Sequence, residues 1–102
     1  MATLIDITSK IKNEQKFIVY NGKHYKVNDS KNTIIKVFAI IDENDGASME
    51  MIDKVLEELL GKEAVKDFED LSYQDYLVPF FAAMACVQNK SYEDVEQSFH
   101  KT

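Results

Sequence analysis

Apolar positions in this chain repeat every second residue in a short stretch before Asn28 and at helical spacing after it. The most apolar stretch is Ser72 to Lys90, SYQDYLVPFFAAMACVQNK, which carries one proline and no charge between Tyr76 and Val87. Tyr73, Tyr76, Leu77, Phe80, Met84 and Val87 fall on one helical stripe, while Val78, Phe81, Ala82 and Ala85 take the other faces. A helix that is apolar nearly all round is a buried helix. About a dozen apolar residues also fall short of the ~20 that span a bilayer. The stretch therefore predicts the central helix of a small core. With Ser72 as N-cap, Pro79 removes one donor, frees the carbonyl of Asp75 and bends a single helix. The alternative ends a short turn near Leu77 and starts a new helix with Pro79 at its first position. The spacing kept by Tyr73, Tyr76, Leu77 and Phe80 across the proline favours one kinked helix.

Earlier in the chain, Leu4 to Thr8 alternates enough to predict a short strand, with Ile11 closing a turn after it. Phe17 to Val27 gives a clearer signal. Asn21-Gly22 lies between two β-rich runs, and a type I′ turn needs positive φ at both of its central positions. That register opposes Tyr20 to Lys23, Val19 to His24, Ile18 to Tyr25 and Phe17 to Lys26. One face then carries Ile18, Tyr20, Tyr25 and Val27, the side expected to pack on helices. The other carries Phe17, Val19, His24 and Lys26. A lone two-stranded ribbon is marginal in water, so it must rest on something.

Asn28, Asp29 and Ser30 offer a helix N-cap, followed by a stripe of Ile34, Ile35, Phe38 and Ile41 to about Glu43. Turn chemistry at Asn44, Asp45 and Gly46 ends it. Ser48 caps the next helix, whose face is Met49, Ile52, Val55, Leu56, Leu59 and Leu60. Glu50, Asp53, Lys54, Glu57 and Glu58 take its wet side, with Glu50 and Lys54 in favourable spacing. Gly61 is expected as a left-handed C-cap residue. Ala64, Val65, Phe68 and Leu71 make a shorter helix, Ser72 starts the central one with Asp75 three residues on, and Ser91 starts the last, with Tyr92, Val95 and Phe99. The echo between Ser72-Tyr-Gln-Asp75 and Ser91-Tyr-Glu-Asp94 is that of two helix starts. The fold class expected is α+β, mainly α: an N-terminal hairpin followed by about five short helices around a central apolar helix.

At 102 residues the chain is read as a single domain, 1–102, with a hairpin region at 1–28 and a helical region at 29–101. Its 45% apolar and 29% charged residues are those of a globular chain. A net charge of −6 without a basic block disfavours nucleic acid as a partner. One cysteine makes no internal disulfide, and MATLIDITSK lacks a basic segment followed by an apolar run, so a cytoplasmic protein is expected.

The candidates for chemistry fail one by one. Asp42, Glu43, Asp45 and Gly46 resemble a calcium loop only until its ends are checked: Ile41 and Ile52 would stand where oxygen ligands belong. The acidic pairs Glu57 and Glu58, Asp67 and Glu69, and Glu93 and Asp94 sit on expected wet faces, whereas acid/base work needs two carboxylates in one cleft. His24, His100 and Cys86 have no metal-ligand spacing. Ala83, Ala85 and Val87 around Cys86 argue for a buried thiol that fills core rather than a nucleophile. No glycine-rich phosphate loop is present. No catalytic, cofactor-binding or metal residue is assigned, and no cofactor is expected.

The second half, LEELLGKEAVKDFEDL followed by SYQDYLVPFFAAMACVQNKSYEDVEQSF, resembles the small tail assembly chaperones of tailed phages and prophages of Gram-positive bacteria. The matching residues are Gly61, Phe68, Leu71, Ser72, Tyr76, Ala82, Ala83, Met84, Ala85, Glu93 and Phe99. FIVYNGKHYKVNDSKNT is similar to that family's opening hairpin and its step into the first helix. The resemblance spans roughly residues 16 to 99; it lies in the pattern rather than in a signature motif, and Pro79 departs from it. It implies a protein without catalysis that coats the tape-measure protein, keeps it soluble, helps recruit tail tube subunits and is absent from the mature virion. An adaptor or structural subunit of a phage or prophage particle is the alternative. A holder of amphipathic helices needs an exposed apolar strip. The candidates are Phe17 and Val19, on the hairpin face turned away from the core, and Tyr92 on the last helix. Self-association is expected with it, and so is the competing possibility that a second protomer or the N-terminal strand covers these residues.

Overall fold

The computed structural model describes residues 3–12, 14–44 and 48–101. Its elements run β1 (Lys16–Tyr20), β2 (Lys23–Val27), α1 (Lys31–Glu43), α2 (Met49–Leu60), α3 (Lys62–Phe68), α4 (Tyr73–Gln88) and α5 (Tyr92–Lys101), after a single 3₁₀ turn at Thr8–Lys10. The architecture is α+β and mainly α, a two-stranded antiparallel hairpin followed by five helices.

The hairpin has the register that its turn demands. Tyr20 faces Lys23, Val19 faces His24, Ile18 faces Tyr25, Phe17 faces Lys26, and Lys16 faces Val27. Asn21 and Gly22 both take positive φ, 51° and 78°, the pair of conformations a type I′ turn requires. Tyr25 and Val27 are buried and Ile18 is half-buried, so the expected inner face packs inward except at Tyr20, which is 38% exposed. The ribbon rests on α3. The Phe68 ring lies 5.6 Å from that of Tyr20 and 5.2 Å from that of Tyr25. The Tyr25 hydroxyl and the Lys23 ammonium both donate to Asp67 Oδ2, at 2.8 and 2.7 Å. Beyond β2, the Asn28 N–H donates to the Leu59 carbonyl at 2.8 Å, using an acceptor that the end of α2 leaves free.

Serines start four of the helices. Ser30, Ser48, Ser72 and Ser91 each accept a hydrogen bond through Oγ from the backbone N–H three residues on, at 3.1–3.3 Å. Each satisfies a donor that a helix start otherwise leaves unpaired. The core lies where α2 meets α1, α3, α4 and β2. Ile52, Val55, Leu56 and Leu59 of α2 are fully enclosed, and Lys54 reaches Glu50 on the wet side at 3.3 Å. Against them α4 buries Tyr76, Leu77, Pro79, Phe80, Phe81, Ala83, Met84 and Ala85. It runs unbroken through Pro79, so the single-helix reading holds. Phe80 and Phe81 meet Phe99 of α5, with ring centroids 6.1 and 5.0 Å apart.

Several expectations need correction. Leu4 to Thr8 is not a strand; residues 3–12 that are described are all exposed, and only the 3₁₀ turn orders them. Alternation makes a strand only where a second strand supplies its hydrogen bonds. In α1 the buried residues are Thr33 and Val37, with Ile34, Ile40 and Ile41 half-buried, while Ile35 and Phe38 are 57% and 47% exposed. The helix is apolar on two overlapping stripes, and the inner one is centred on Val37. Tyr73, at the first turn of α4, is also exposed. Gly61 has positive φ but extended ψ (96°, 165°). It ends α2 and at once begins α3, a step that a left-handed helical residue would not make. Cys86 is half-buried, not buried. The turn residues Asp45 and Gly46 lie outside the described residues.

Candidate interaction surface

The ribbon and α4 do not close on each other completely. Between them runs an open groove of about 350 Å³. It is lined on the hairpin side by Ile18, Val19 and Tyr20, on α4 by Asp75, Val78, Pro79 and Ala82, and otherwise by Phe68, Leu71 and Tyr92. The lining is apolar apart from Asp75 and the Tyr20 and Tyr92 hydroxyls. Pro79 has no N–H, so the Asp75 carbonyl beside the groove lacks its ordinary helical donor. The other wall is an edge strand. In a hairpin with a two-residue loop, Tyr20 and Lys23 exchange both backbone hydrogen bonds, and such pairs then alternate with unbonded ones. Phe17 and Val19 therefore turn their backbone N–H and C=O away from β2. Among the described residues no third strand takes them up.

The three residues singled out from sequence reach this region in different ways. Phe17 and Val19 stand on the outer face, 46% and 58% exposed. Phe17 packs edge-on against His24, with centroids 6.3 Å apart, and lies outside the groove lining. Val19 forms its lip. Tyr92 is half-buried, edge-on to Phe81 at 5.9 Å, and burial pushes its hydroxyl pKa up. It is a wall of the groove rather than part of a free strip. Val19 and Tyr92 thus share one site and Phe17 adjoins it. Sequence reasoning missed Pro79, Val78 and Ala82, since a helix expected to be buried all round leaves no face for a groove. The signal available was the proline itself, which exposes a carbonyl wherever it sits in a helix.

Lys16, at the start of β1, donates to the Cys86 carbonyl at 2.7 Å and ties this end of the strand to α4. Burial raises the Cys86 thiol pKa; Lys16 pulls it down and Asp29 adds to the rise. The thiol is thus held in its unreactive form. On the far side of α4 the Tyr76 hydroxyl donates to Asp53 Oδ1. Burial, then that acceptor, raises its pKa strongly. Among the described residues no three His, Cys, Asp or Glu side chains group as a metal site, and no helix is long and apolar enough to cross a membrane. No family model, curated protein or solved structure matches the chain.

Proposed function

We propose that this chain is a non-enzymatic tail assembly chaperone of a phage or prophage, acting in the bacterial cytoplasm on the tape-measure protein. The observation that supports it is the open apolar groove between β1 and α4, edged by Val19, Tyr92 and the neighbouring Phe17. A surface of this kind takes the apolar face of an amphipathic helix. The order of elements supports it too: a hairpin, the glycine step at Gly61, a short helix, a serine-capped aromatic helix and a last helix that brings Phe99 into the core. These are the features that carry the family resemblance. In this reading several copies line a long client, each segment binding weakly and the array supplying strength through avidity. Recruitment of tail tube subunits follows once the client is coated.

The proposal requires a tape-measure protein encoded nearby, and co-expression with it is the test. The client is expected to move from the insoluble to the soluble fraction when this chain is present, and Phe17→Asp with Val19→Asp is expected to reverse that. Equal client solubility with and without the chain ends the chaperone reading. Finding the chain in purified particles instead favours the structural adaptor.

A further inference from the structure

The N-terminal arm is an uncovered apolar stretch of the described residues. Residues 3–12 lie wholly exposed, and Leu4, Ile5, Ile7 and Ile11 are 92%, 81%, 55% and 63% exposed. A radius of gyration of 15.8 Å also exceeds the ~13 Å of a compact chain of this length. Four large apolar side chains on one short arm are not scattered surface residues, which need no explanation. The free edge of β1 offers what the arm lacks, unpaired backbone groups at Phe17 and Val19 beside an apolar groove. An arm strand laid there places Ile5 and Ile7 on one face and Leu4 on the other, since side chains alternate along a strand. The first face covers the groove beside Ile18 and Tyr20. The second meets Phe17 and Val19.

Within one molecule the arm does not do this: among the described residues the sheet has two strands, and residues 3–12 stay exposed. Leu4 and Ile5 are the two most exposed large apolar residues of the arm. On another molecule the register is free. We infer that the arm of one copy adds as a strand to the β1 edge of a second copy, and that the exchange is reciprocal. Each buried Leu or Ile removes roughly 60–120 Å² of apolar surface from water. With Leu4, Ile5 and Ile7 on each arm and as much surface again beneath them, two arms remove roughly 700–1,400 Å², which reaches the lower range of stable interfaces. The inference specifies how the self-association in the preceding proposal is made, but it rests on arm and edge alone. Arm and client would compete for the same edge.

Sedimentation velocity and native mass spectrometry on the full chain test it with two variants. Ile5→Asp with Ile7→Asp spoils the arm, which touches no core, so the body stays folded. Val19→Pro spoils the edge by removing an outward N–H, a substitution edge strands accept. The wild type is expected at twice the monomer mass and each variant at the monomer mass. Mixing the two variants is expected to give a one-to-one pair, because one intact arm again meets one intact edge. That single pairing should bind roughly 10²-fold or more weakly than the reciprocal dimer. A wild type that is monomeric at every concentration, variants that keep the doubled mass, or a mixture still monomeric when raised well beyond roughly 10²-fold above the concentration at which the wild type pairs overturns the inference. None of these outcomes depends on whether the client is solubilised.

Discussion

Leu4 to Ile11 and Tyr76 to Val87 are both rich in large apolar side chains, and the fold treats them in opposite ways. In α4 all but Val78 are wholly or partly covered, by α2, α5 and β1; in the arm none is covered. The backbone accounts for the difference. A helix satisfies its own hydrogen bonds, so an apolar helix needs only neighbours to bury it. An extended arm needs a second strand before it can be buried at all, because its peptide groups must be paired first. Apolar patterning thus says that a stretch has to be covered and leaves open by what.

Phe80 stands at the buried end of this contrast. Phe80 is 5% exposed and packs against Phe81 and Phe99. Phe80→Ala is expected to cost ~3–5 kcal/mol in urea unfolding, a large part of the stability of a domain this small. A midpoint unchanged from wild type would remove α4 from the core.

Within the helical region a smaller contrast can be sharpened. Val37 is fully buried and Phe38, the larger neighbour, is 47% exposed. Val37→Ala is expected to cost about 1–3 kcal/mol, and Phe38→Ala less. Residue size alone predicts the reverse order, so the pair of melts decides which stripe of α1 faces α2.

These cases show what could be read from the sequence. The hairpin register was readable because Asn21-Gly22 fixes both φ signs and hence every pairing. The helix starts were readable because a serine Oγ placed before an apolar repeat has a local job, satisfying an N–H three residues on. Choices made by tertiary contact were not. Seven consecutive or near-consecutive apolar residues from Ile34 to Ile41 fit two stripes, and only the position of α2 selects the one through Val37. The groove was half readable. The outward face of Phe17 and Val19 follows from strand alternation, but the opening beside Pro79 depends on how far the ribbon stands from α4.

The Asp67 contacts between ribbon and helices give a pH-dependent test of smaller size. Asp67 accepts from Lys23 first and Tyr25 second, and both hold its carboxyl pKa below the ordinary value of 3.8. A depressed carboxyl contributes stability above its unfolded pKa and loses it as the pH falls through the lower folded value. Lys23 is raised chiefly by its hydrogen bond to Asp67, and Tyr25 chiefly by burial, then by the same carboxylate. Their contributions are complete below the ordinary values of 10.5 and 10.0 and are lost as the pH rises through the folded ones. Asp67→Asn is expected to flatten the acid limb of a plot of melting temperature against pH, and 0.5 M salt to weaken the wild-type limb. An acid limb identical in the variant would separate Asp67 from the anchoring of the ribbon.

The smallest effect belongs to the arm, and its smallness is the sharpest contrast with Phe80. Because residues 3–12 are exposed, Ile5→Asp with Ile7→Asp is expected to change the stability of the dilute monomer by no more than ~0.5 kcal/mol. Association stabilises the folded state by mass action, so the wild-type melting temperature should climb with protein concentration and that of the arm variant should stay flat. The two curves meet at dilution. If they remain parallel and apart at all concentrations, the arm contributes within one molecule, and residues 4–7 are covered by their own chain. If both climb equally, the copies meet through another face, with the outer side of α1 at Ile35 and Phe38 the next surface to alter.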